Sequence, residues 1–217
     1  MKIKVLYEDN HLIGVFKPAG ILVQPDISGK TCLMDEVKKY LKKKYRKKGK
    51  VFLGLLHRID RPISGIVLFA KTSKGASRLS KQFRDNEIKK IYQAIVIGKV
   101  KKREGVLINY ILKDEERKKA IITDEKKGKK AELYYKVISY RGKNSFLEIK
   151  IKTGRFHQIR AQLASIGHPI LGDKKYGASF SLPDKSIALS AVSLSFKTAV
   201  SKQTKTISIP EELNFIF

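Results

Sequence analysis

The chain of 217 residues contains a single cysteine, Cys32, no tryptophan and no long run of apolar residues. One cysteine excludes a framework of intramolecular disulfides and is typical of a protein from a reducing compartment. The first residues lack the apolar segment of a secretory signal, and no segment is long enough to span a bilayer. We therefore expect a cytoplasmic protein.

Acidic residues are scarce, with 20 Asp and Glu against 47 Lys and Arg, so the formal net charge is +27. Such a charge attracts polyanions and speeds their capture. An anionic membrane is one candidate partner, but the sequence has no basic amphipathic helix with Trp or Phe on its apolar face. Nucleic acid is therefore the expected partner, and no membrane partner is expected.

The motifs of cofactor and metal sites are also lacking. The sequence contains no Walker loop, no GxGxxG, no HExxH and no cluster of cysteine and histidine at metal-binding spacing. His57 and His157 are interpreted as loop or core residues that form hydrogen bonds. We expect neither a cofactor nor a metal.

Hydropathy patterns predict more strands than helices, and few helices lie between successive strands. One helix is predicted over residues 32–48 with Thr31 as its N-cap, and a second begins at a Ser73 cap. A third, over residues 157–166, ends before Gly167. This arrangement favours an α+β fold around a largely antiparallel sheet.

The most informative segment is residues 57–65, HRIDRPISG, which places one carboxylate, Asp60, between Arg58 and Arg61. Its proline, serine and glycine predict a stiff, tightly turned loop, and an apolar strand follows it. Taken alone, such a cluster is more often a surface ion-pair network than a catalytic site. In a very basic protein, however, one acid held at the mouth of a strand also suggests chemistry on an anionic polymer.

Further motifs decide between these interpretations. Together with the loop, residues 90–96 (KIYQAIV) and 153–160 (TGRFHQIR) resemble the RluA-type pseudouridine synthases, and the same family order holds for residues 7–10 (YEDN), 17–20 (KPAG) and 167–173 (GHPILGD). The resemblance implies one catalytic domain over residues 1–217, with a curved sheet in two lobes, flanking helices and a central cleft. It also implies the isomerisation of uridine to pseudouridine in structured ribosomal or transfer RNA.

The resemblance implies roles for single residues. Asp60 matches the family's aspartate and would act as nucleophile or as base at the ribose, and the sequence leaves both roles open. Either role needs an ionised carboxylate, and a buried one stays ionised only beside a cation. Arg155 is our choice for that cation, and Arg160 is the alternative. Tyr92 would stack on the target base and help to move its proton.

Other residues are expected to contact the RNA substrate. The target uridine must be flipped out of its stem, and Arg58 matches the family position proposed to fill the gap. Arg61 adds a second cation to the loop, and Ile151 is either an apolar contact of the base or a plain core residue. Residues 38–50 contain nine Lys or Arg and form either a solvated helix end or a contact with the RNA backbone. The lysines expected at that contact are Lys42, Lys43, Lys47 and Lys48.

One position departs from the family pattern, because Ile63 stands where many members have threonine. The catalytic pattern already begins at residue 7, so we expect no S4-type RNA-binding domain and a monomer that binds RNA through its catalytic domain. A non-catalytic RNA-binding or ribosome-assembly protein on the same fold is the alternative function. A glycosidase-like hydrolase is disfavoured, since no second acid has a setting comparable to that of Asp60.

Overall fold

The computed structural model describes residues 2–27 and 29–213, and it divides the chain into two compact units. The first unit contains residues 2–88 and 191–213, and the second contains residues 89–190. Each unit combines helices with strands that pair largely in the antiparallel direction. The predicted α+β fold with a largely antiparallel sheet is confirmed.

The described residues form eleven strands and three α-helices. The strands are β1 Lys4–Glu8, β2 Leu12–Lys17, β3 Gly54–Leu55, β4 Ser64–Ala70, β5 Lys89–Val96, β6 Glu104–Asp114, β7 Lys119–Thr123, β8 Lys129–Arg141, β9 Asn144–Ile151, β10 Leu189–Lys197 and β11 Thr204–Ser208. The helices are α1 Leu33–Lys44, α2 Ser73–Arg84 and α3 Gln158–Ser165. Two short 3-10 helices cover Lys174–Tyr176 and Glu211–Leu213.

The sheet of the first unit has the order β1-β2-β4-β10, with β3 beside β4 and β11 beside β10. Strands β2 and β4 are buried along their whole length, because their sequences are almost entirely apolar. Their register places Lys17, the last residue of β2, opposite Gly65 near the start of β4. A Cβ atom at Gly65, whose φ is +129°, would overlap the backbone of Ala191, so only glycine fits there.

The predicted N-cap of the first helix is wrong by one residue. Cys32 takes the N-cap position instead of Thr31, because the Asp35 carboxylate reaches back to accept the Cys32 N–H at 3.2 Å. The helix ends at Lys44, and the remaining lysines of the predicted helix lie beyond it. Three basic residues in its last turn stabilise the helix, because their positive charges lie near the negative end of the helix dipole.

The N-cap of α2 also differs from the prediction. Thr72, not Ser73, is the cap, because the Thr72 hydroxyl accepts the N–H of Gly75 at 3.1 Å. Leu79 on the inner face of this helix belongs to the same buried cluster as Leu12 of β2 and Ile66 of β4. Burial of this apolar face fixes the helix on the sheet.

The sheet of the second unit has the order β5-β9-β8-β6-β7, so β7 is an edge strand of this unit's sheet. Its strands are joined by turns at residues 115–118, 124–128 and 142–143. Helix α3 packs on β6 and β7, and Gly167, at φ +80°, follows its C-cap as predicted.

Two features are absent from the described residues, 2–27 and 29–213. None of the helices in this part of the chain is both long and apolar enough to cross a membrane. Within the same residues, no group of three or more His, Cys, Asp and Glu side chains is arranged to hold a metal ion.

Candidate active site

The loop that carries Asp60 lies in the first unit, between β3 and β4. Asp60 is half-buried and its carbonyl accepts the Ile63 N–H at 3.1 Å, which closes a tight turn. Ile59 and Ile63 are buried on either side of the turn. Apolar anchors on both sides therefore hold the carboxylate at a defined position, and the apolar side chain of Ile63 serves as one of them.

Lys17 binds the Asp60 loop to the turn that follows β2. Its side chain is fully buried, and its Nζ donates to the carbonyls of Pro18, Ile21 and Arg61 at 3.0, 2.8 and 3.2 Å. Gly20 and Arg61 add two reciprocal hydrogen bonds between the same segments. The two segments therefore form one rigid assembly, which we call the loop lock and define as residues 17–21 and 60–61.

The charge of Lys17 is coupled to that of Asp60. Burial lowers the pKa of Lys17 from 10.5 to about 7, the Asp60 carboxylate opposes this fall, and Arg61 adds to it. The attraction between the two charges favours the charged form of each group. A protonated Lys17 therefore favours an ionised Asp60, as both catalytic roles require.

His57 fixes the start of the same loop. Its Nε2 accepts the backbone N–H of Leu68 at 3.0 Å, and its ring stacks on Phe83 at 4.9 Å between centroids. Because Nε2 accepts a hydrogen bond, the ring nitrogen that carries the proton in a neutral His57 is Nδ1. This geometry agrees with the interpretation of His57 as a structural residue.

The other basic residues predicted in the first unit lie at its surface. Arg58 and Arg61 are exposed, and the Nε of Arg61 donates to the Gly20 carbonyl at 2.9 Å. The four predicted lysines are also exposed, and none of them forms an ion pair with a described residue: Lys42, Lys43, Lys47 and Lys48. Their charges are therefore available to a polyanion.

Lys44, between these lysines, belongs instead to an ionic cluster around Glu8. The Glu8 carboxylate accepts hydrogen bonds from Lys44, Lys71 and Tyr45 at 2.7, 2.7 and 2.6 Å. Burial would raise the pKa of Glu8, but these hydrogen bonds outweigh it and lower the pKa to about 2. The cluster ties the end of α1 to β1 and thereby positions the exposed lysines.

In the second unit, Tyr92 and Ile151 share one face of neighbouring strands. Tyr92 on β5 pairs with Ile149 on β9, and Lys90 pairs with Ile151. Because side chains alternate along a strand, all four lie on the same face. Tyr92 is 9% exposed, and burial lowers the pKa of Lys90. The structure thus brings together two of the residues predicted to contact the base.

The turn after β9 is held by Gln158, which the sequence prediction missed. Its Oε1 accepts the Thr153 hydroxyl at 2.8 Å and the Arg155 N–H at 3.0 Å, while its Nε2 donates to the Glu132 carbonyl at 3.1 Å. Gln158 is 3% exposed. A buried amide with partners on both atoms gives the 153–155 turn a single conformation.

Arg155 and Arg160, the two arginines predicted as alternative cations for Asp60, have different environments. Arg155 is exposed, and its Nε donates to the Lys130 carbonyl at 2.9 Å. Arg160 on α3 is buried and binds the Asp173 carboxylate through two hydrogen bonds, of 2.7 and 2.8 Å. Asp173 was not predicted as a site residue, although it stands in the GHPILGD segment that carries the resemblance.

His157 adopts a left-handed backbone conformation, with φ 50°, at the N-cap of α3. Its ring stacks on Phe156 at 3.8 Å between centroids, and its Nδ1 lies 2.9 Å from the Tyr176 hydroxyl. Burial, followed by the charge of Arg160, lowers the pKa of His157 to about 3. His157 is therefore neutral at physiological pH, and it has the structural role that the sequence predicts.

Lys17 is the main site residue that the sequence prediction missed. The 17–20 segment carried the resemblance, but the lysine received no role because charged side chains are rarely buried. The available signal was its position at the end of a wholly apolar strand, immediately before a Pro-Ala-Gly turn whose carbonyls need donors.

The fold of the chain is similar to that of two solved human structures. A solved structure of human RNA Pseudouridylate Synthase Domain Containing 4 superimposes with a TM-score of 0.80 at 22% identity, covering 97% of this chain and 90% of that one. Human RNA Pseudouridylate Synthase Domain Containing 1 gives a TM-score of 0.77 at 21% identity, over 100% and 86%. The superpositions show that the chain shares the fold of these two proteins.

Sequence comparison identifies the family. The family model described as RNA pseudouridylate synthase matches residues 11–165. Ribosomal large subunit pseudouridine synthase D of Zymomonas mobilis is 35% identical over 82% of this chain and 56% of its own length. Ribosomal large subunit pseudouridine synthase C of Buchnera aphidicola, from Acyrthosiphon pisum, is 39% identical over 80% of this chain and 54% of its own length.

The chain belongs to the RNA pseudouridylate synthase family, and the resemblance to its RluA-type members is confirmed. The chain spans little more than half the length of these curated relatives.

Proposed function

We propose that the protein is an RNA pseudouridine synthase that isomerises uridine to pseudouridine in structured ribosomal RNA, and in transfer RNA as a second substrate class. The observation that carries the proposal is the loop lock, which holds the half-buried Asp60 beside a buried cation in a chain of this family. The names of the curated relatives favour large-subunit ribosomal RNA.

The reaction needs one carboxylate and no change of oxidation state. The bond between C1′ of the ribose and N1 of the uracil breaks, the base turns, and C5 forms a new bond to C1′ and then loses its proton. Asp60 serves as the nucleophile at C1′ or as a base at the ribose. The ammonium of Lys17 supports the ionised form of Asp60 for either step.

Tyr92 and Ile151 are proposed to receive the flipped uracil. Their common face on β5 and β9 offers an aromatic ring and an apolar side chain, which an unstacked base requires. The Tyr92 hydroxyl is our candidate for moving the C5 proton. Tyr92→Phe would then keep RNA affinity and slow turnover.

In addition to Lys17, Arg155 is proposed as a cation that keeps Asp60 ionised during the reaction, with Arg160 as the alternative. The two differ in burial, since Arg160 is 5% exposed and Arg155 lies at the surface. Loss of turnover in Arg155→Ala, with RNA affinity and Tm unchanged, supports Arg155. Near-normal turnover in Arg155→Ala, alongside loss of turnover in Arg160→Ala, assigns the role to Arg160.

Binding of RNA is proposed to be largely electrostatic. The charge of +27 and the exposed lysines after residue 41 imply several phosphate contacts. Affinity for a stem-loop RNA should then fall by roughly one to three powers of ten between about 50 and 200 mM salt. A flat salt profile would contradict this mode of binding.

The decisive experiment measures tritium released from RNA that carries C5-labelled uridine, because C5 loses its hydrogen in the reaction. Asp60→Asn keeps the size of the side chain but can act neither as nucleophile nor as base, so release should fall to background while RNA affinity persists. Asp85→Asn, an exposed acid-to-amide change in the same unit, is the matched control.

Substantial release by Asp60→Asn would refute the assigned chemistry. If the wild-type protein binds ribosomal RNA but releases no tritium from RNA of a strain that lacks the gene, the function is that of a non-catalytic RNA-binding or ribosome-assembly protein.

A further inference from the structure

The second unit contains a cavity of about 370 Å³ between β7 and α3. The Ile122 side chain of β7 forms one apolar wall, because it packs in the same cluster as Ala161 and Ala164 of α3, which form the other wall. The small alanine side chains leave the space open on the helix side. The volume falls within the range of about 300–1,000 Å³ that is typical of small-ligand pockets.

Cations and an aromatic ring complete the lining. Arg117 and Lys119 lie at one end of the cavity, and the Lys119 ammonium is 5.0 Å from the centroid of the Tyr176 ring. The Arg160 guanidinium lies 5.0 Å from the same centroid. The cavity therefore combines apolar walls with positive charge at one end, which suits a ligand with a flat apolar part and an anionic group.

The backbone of β7 adds hydrogen-bonding groups to this wall. Strand β7 is an edge strand of this unit's sheet, and the Ala120 N–H points away from β6 to donate to the Tyr176 hydroxyl at 2.7 Å. Because backbone groups alternate along a strand, the N–H and carbonyl of Ile122 also point away from β6. A donor and an acceptor on one lining residue match the polar edge of a nucleobase.

We propose that this cavity binds one unpaired nucleotide of the RNA substrate, other than the uridine that is isomerised. Its base would lie between the apolar walls with its polar edge on the Ile122 backbone, and its phosphate would contact Arg117 and Lys119. A peptide strand could also pair with β7, but it would not need the cationic end. The proposal rests on the proposed function for the identity of the ligand as RNA.

The test follows the methyl NMR signal of Ile122 while RNA is added. A stem-loop with unpaired nucleotides should shift this signal, and a fully paired duplex of equal length should not. RNA affinity should fall roughly tenfold in Ala164→Phe, which fills the cavity, and in Lys119→Gln, which removes its charge. Lys126→Gln, an equal charge change in the turn after β7, should weaken binding less than about threefold.

The proposal fails if Lys119→Gln and Lys126→Gln weaken binding equally while Ala164→Phe has no effect. It also fails if mononucleotides shift the Ile122 methyl signal but RNA does not, since the source is then a free nucleotide. Shifts caused only by an extended peptide would assign the edge of β7 to a protein partner. Tritium release by the wild-type protein is measured in parallel, so failure of the proposed function is recognised separately.

Discussion

The ion pair between Arg160 and Asp173 allows a quantitative test of what holds the second unit together. The Nε of Arg160 lies 2.7 Å from one carboxylate oxygen, and an Nη lies 2.8 Å from the other. The side chains are only 6% and 2% exposed. The pair connects α3 to the segment that leads into the 3-10 helix at Lys174–Tyr176.

Asp173→Asn keeps the volume of the side chain and removes its charge. The new amide group presents N–H donors to a guanidinium that has only donors, so at least one hydrogen bond becomes a repulsion. Removing one partner of a buried ion pair costs about 3–5 kcal/mol, because a buried charge loses its counter-charge. For a chain of this length, that corresponds to a fall in Tm of roughly 6–20 °C.

Thermal and urea unfolding followed by circular dichroism measure this loss. The matched control is Glu115→Gln in the same unit, because Glu115 pairs with Lys113 at 2.6 Å but is 74% exposed. An exposed pair contributes about 0–1 kcal/mol, so the control should shift Tm by a few degrees at most. If Asp173→Asn destabilises the protein no more than Glu115→Gln does, the buried pair does not hold α3 in place.

Three further predictions concern titration and charge in the first unit. The pKa of Glu8 is about 2 in the folded protein and 4.5 ordinarily. The wild-type protein should therefore be more stable than Glu8→Gln above about pH 5, and this difference in the free energy of unfolding should disappear as the pH falls toward 2. Urea unfolding at several pH values measures the difference. Burial lowers the pKa of Lys17 from 10.5 to about 7, so between these pH values the unfolded chain binds more protons than the folded protein. The wild-type protein should therefore gain stability relative to Lys17→Met as the pH rises from 7 to 10. Parallel curves of stability against pH for the two proteins would refute this coupling. Replacing Lys42, Lys43, Lys47 and Lys48 together by Gln should weaken RNA binding and reduce its salt dependence. The single-turnover rate at saturating enzyme should stay nearly constant. If neither the affinity nor the salt dependence changes, these lysines belong to a solvated helix end.

Local patterns predicted most of the secondary structure. The apolar stretch that follows the Asp60 loop became β4, as expected. The helix caps were less predictable, since neighbouring residues compete for the same N–H groups. The choice between Thr31 and Cys32 depended on the reach of the Asp35 carboxylate, which only the folded backbone reveals.

The sequence singles out one residue of the candidate site clearly. Asp60 stands out because its loop is short, stiff and flanked by charge. Contacts between distant segments could not be predicted, because no local pattern records them. Gln158 and Glu132 are 26 residues apart, and Arg160 and Asp173 are 13 apart, yet each pair forms buried hydrogen bonds.

Lys17 shows why a buried charge can be kept at a site of this kind. An apolar side chain in its place would remove the cost of burying an ammonium, but it would leave the carbonyls of Pro18 and Ile21 without the donor they now have. It would also remove the positive charge that opposes protonation of Asp60. A hydrophobic residue would therefore remove the cost of burying the charge, but it would restore neither the hydrogen bonds of these carbonyls nor the electrostatic environment of the carboxylate. Lys17 thus fixes the position of the Asp60 loop, and its ammonium is the positive charge that Lys17→Met would remove from the surroundings of Asp60.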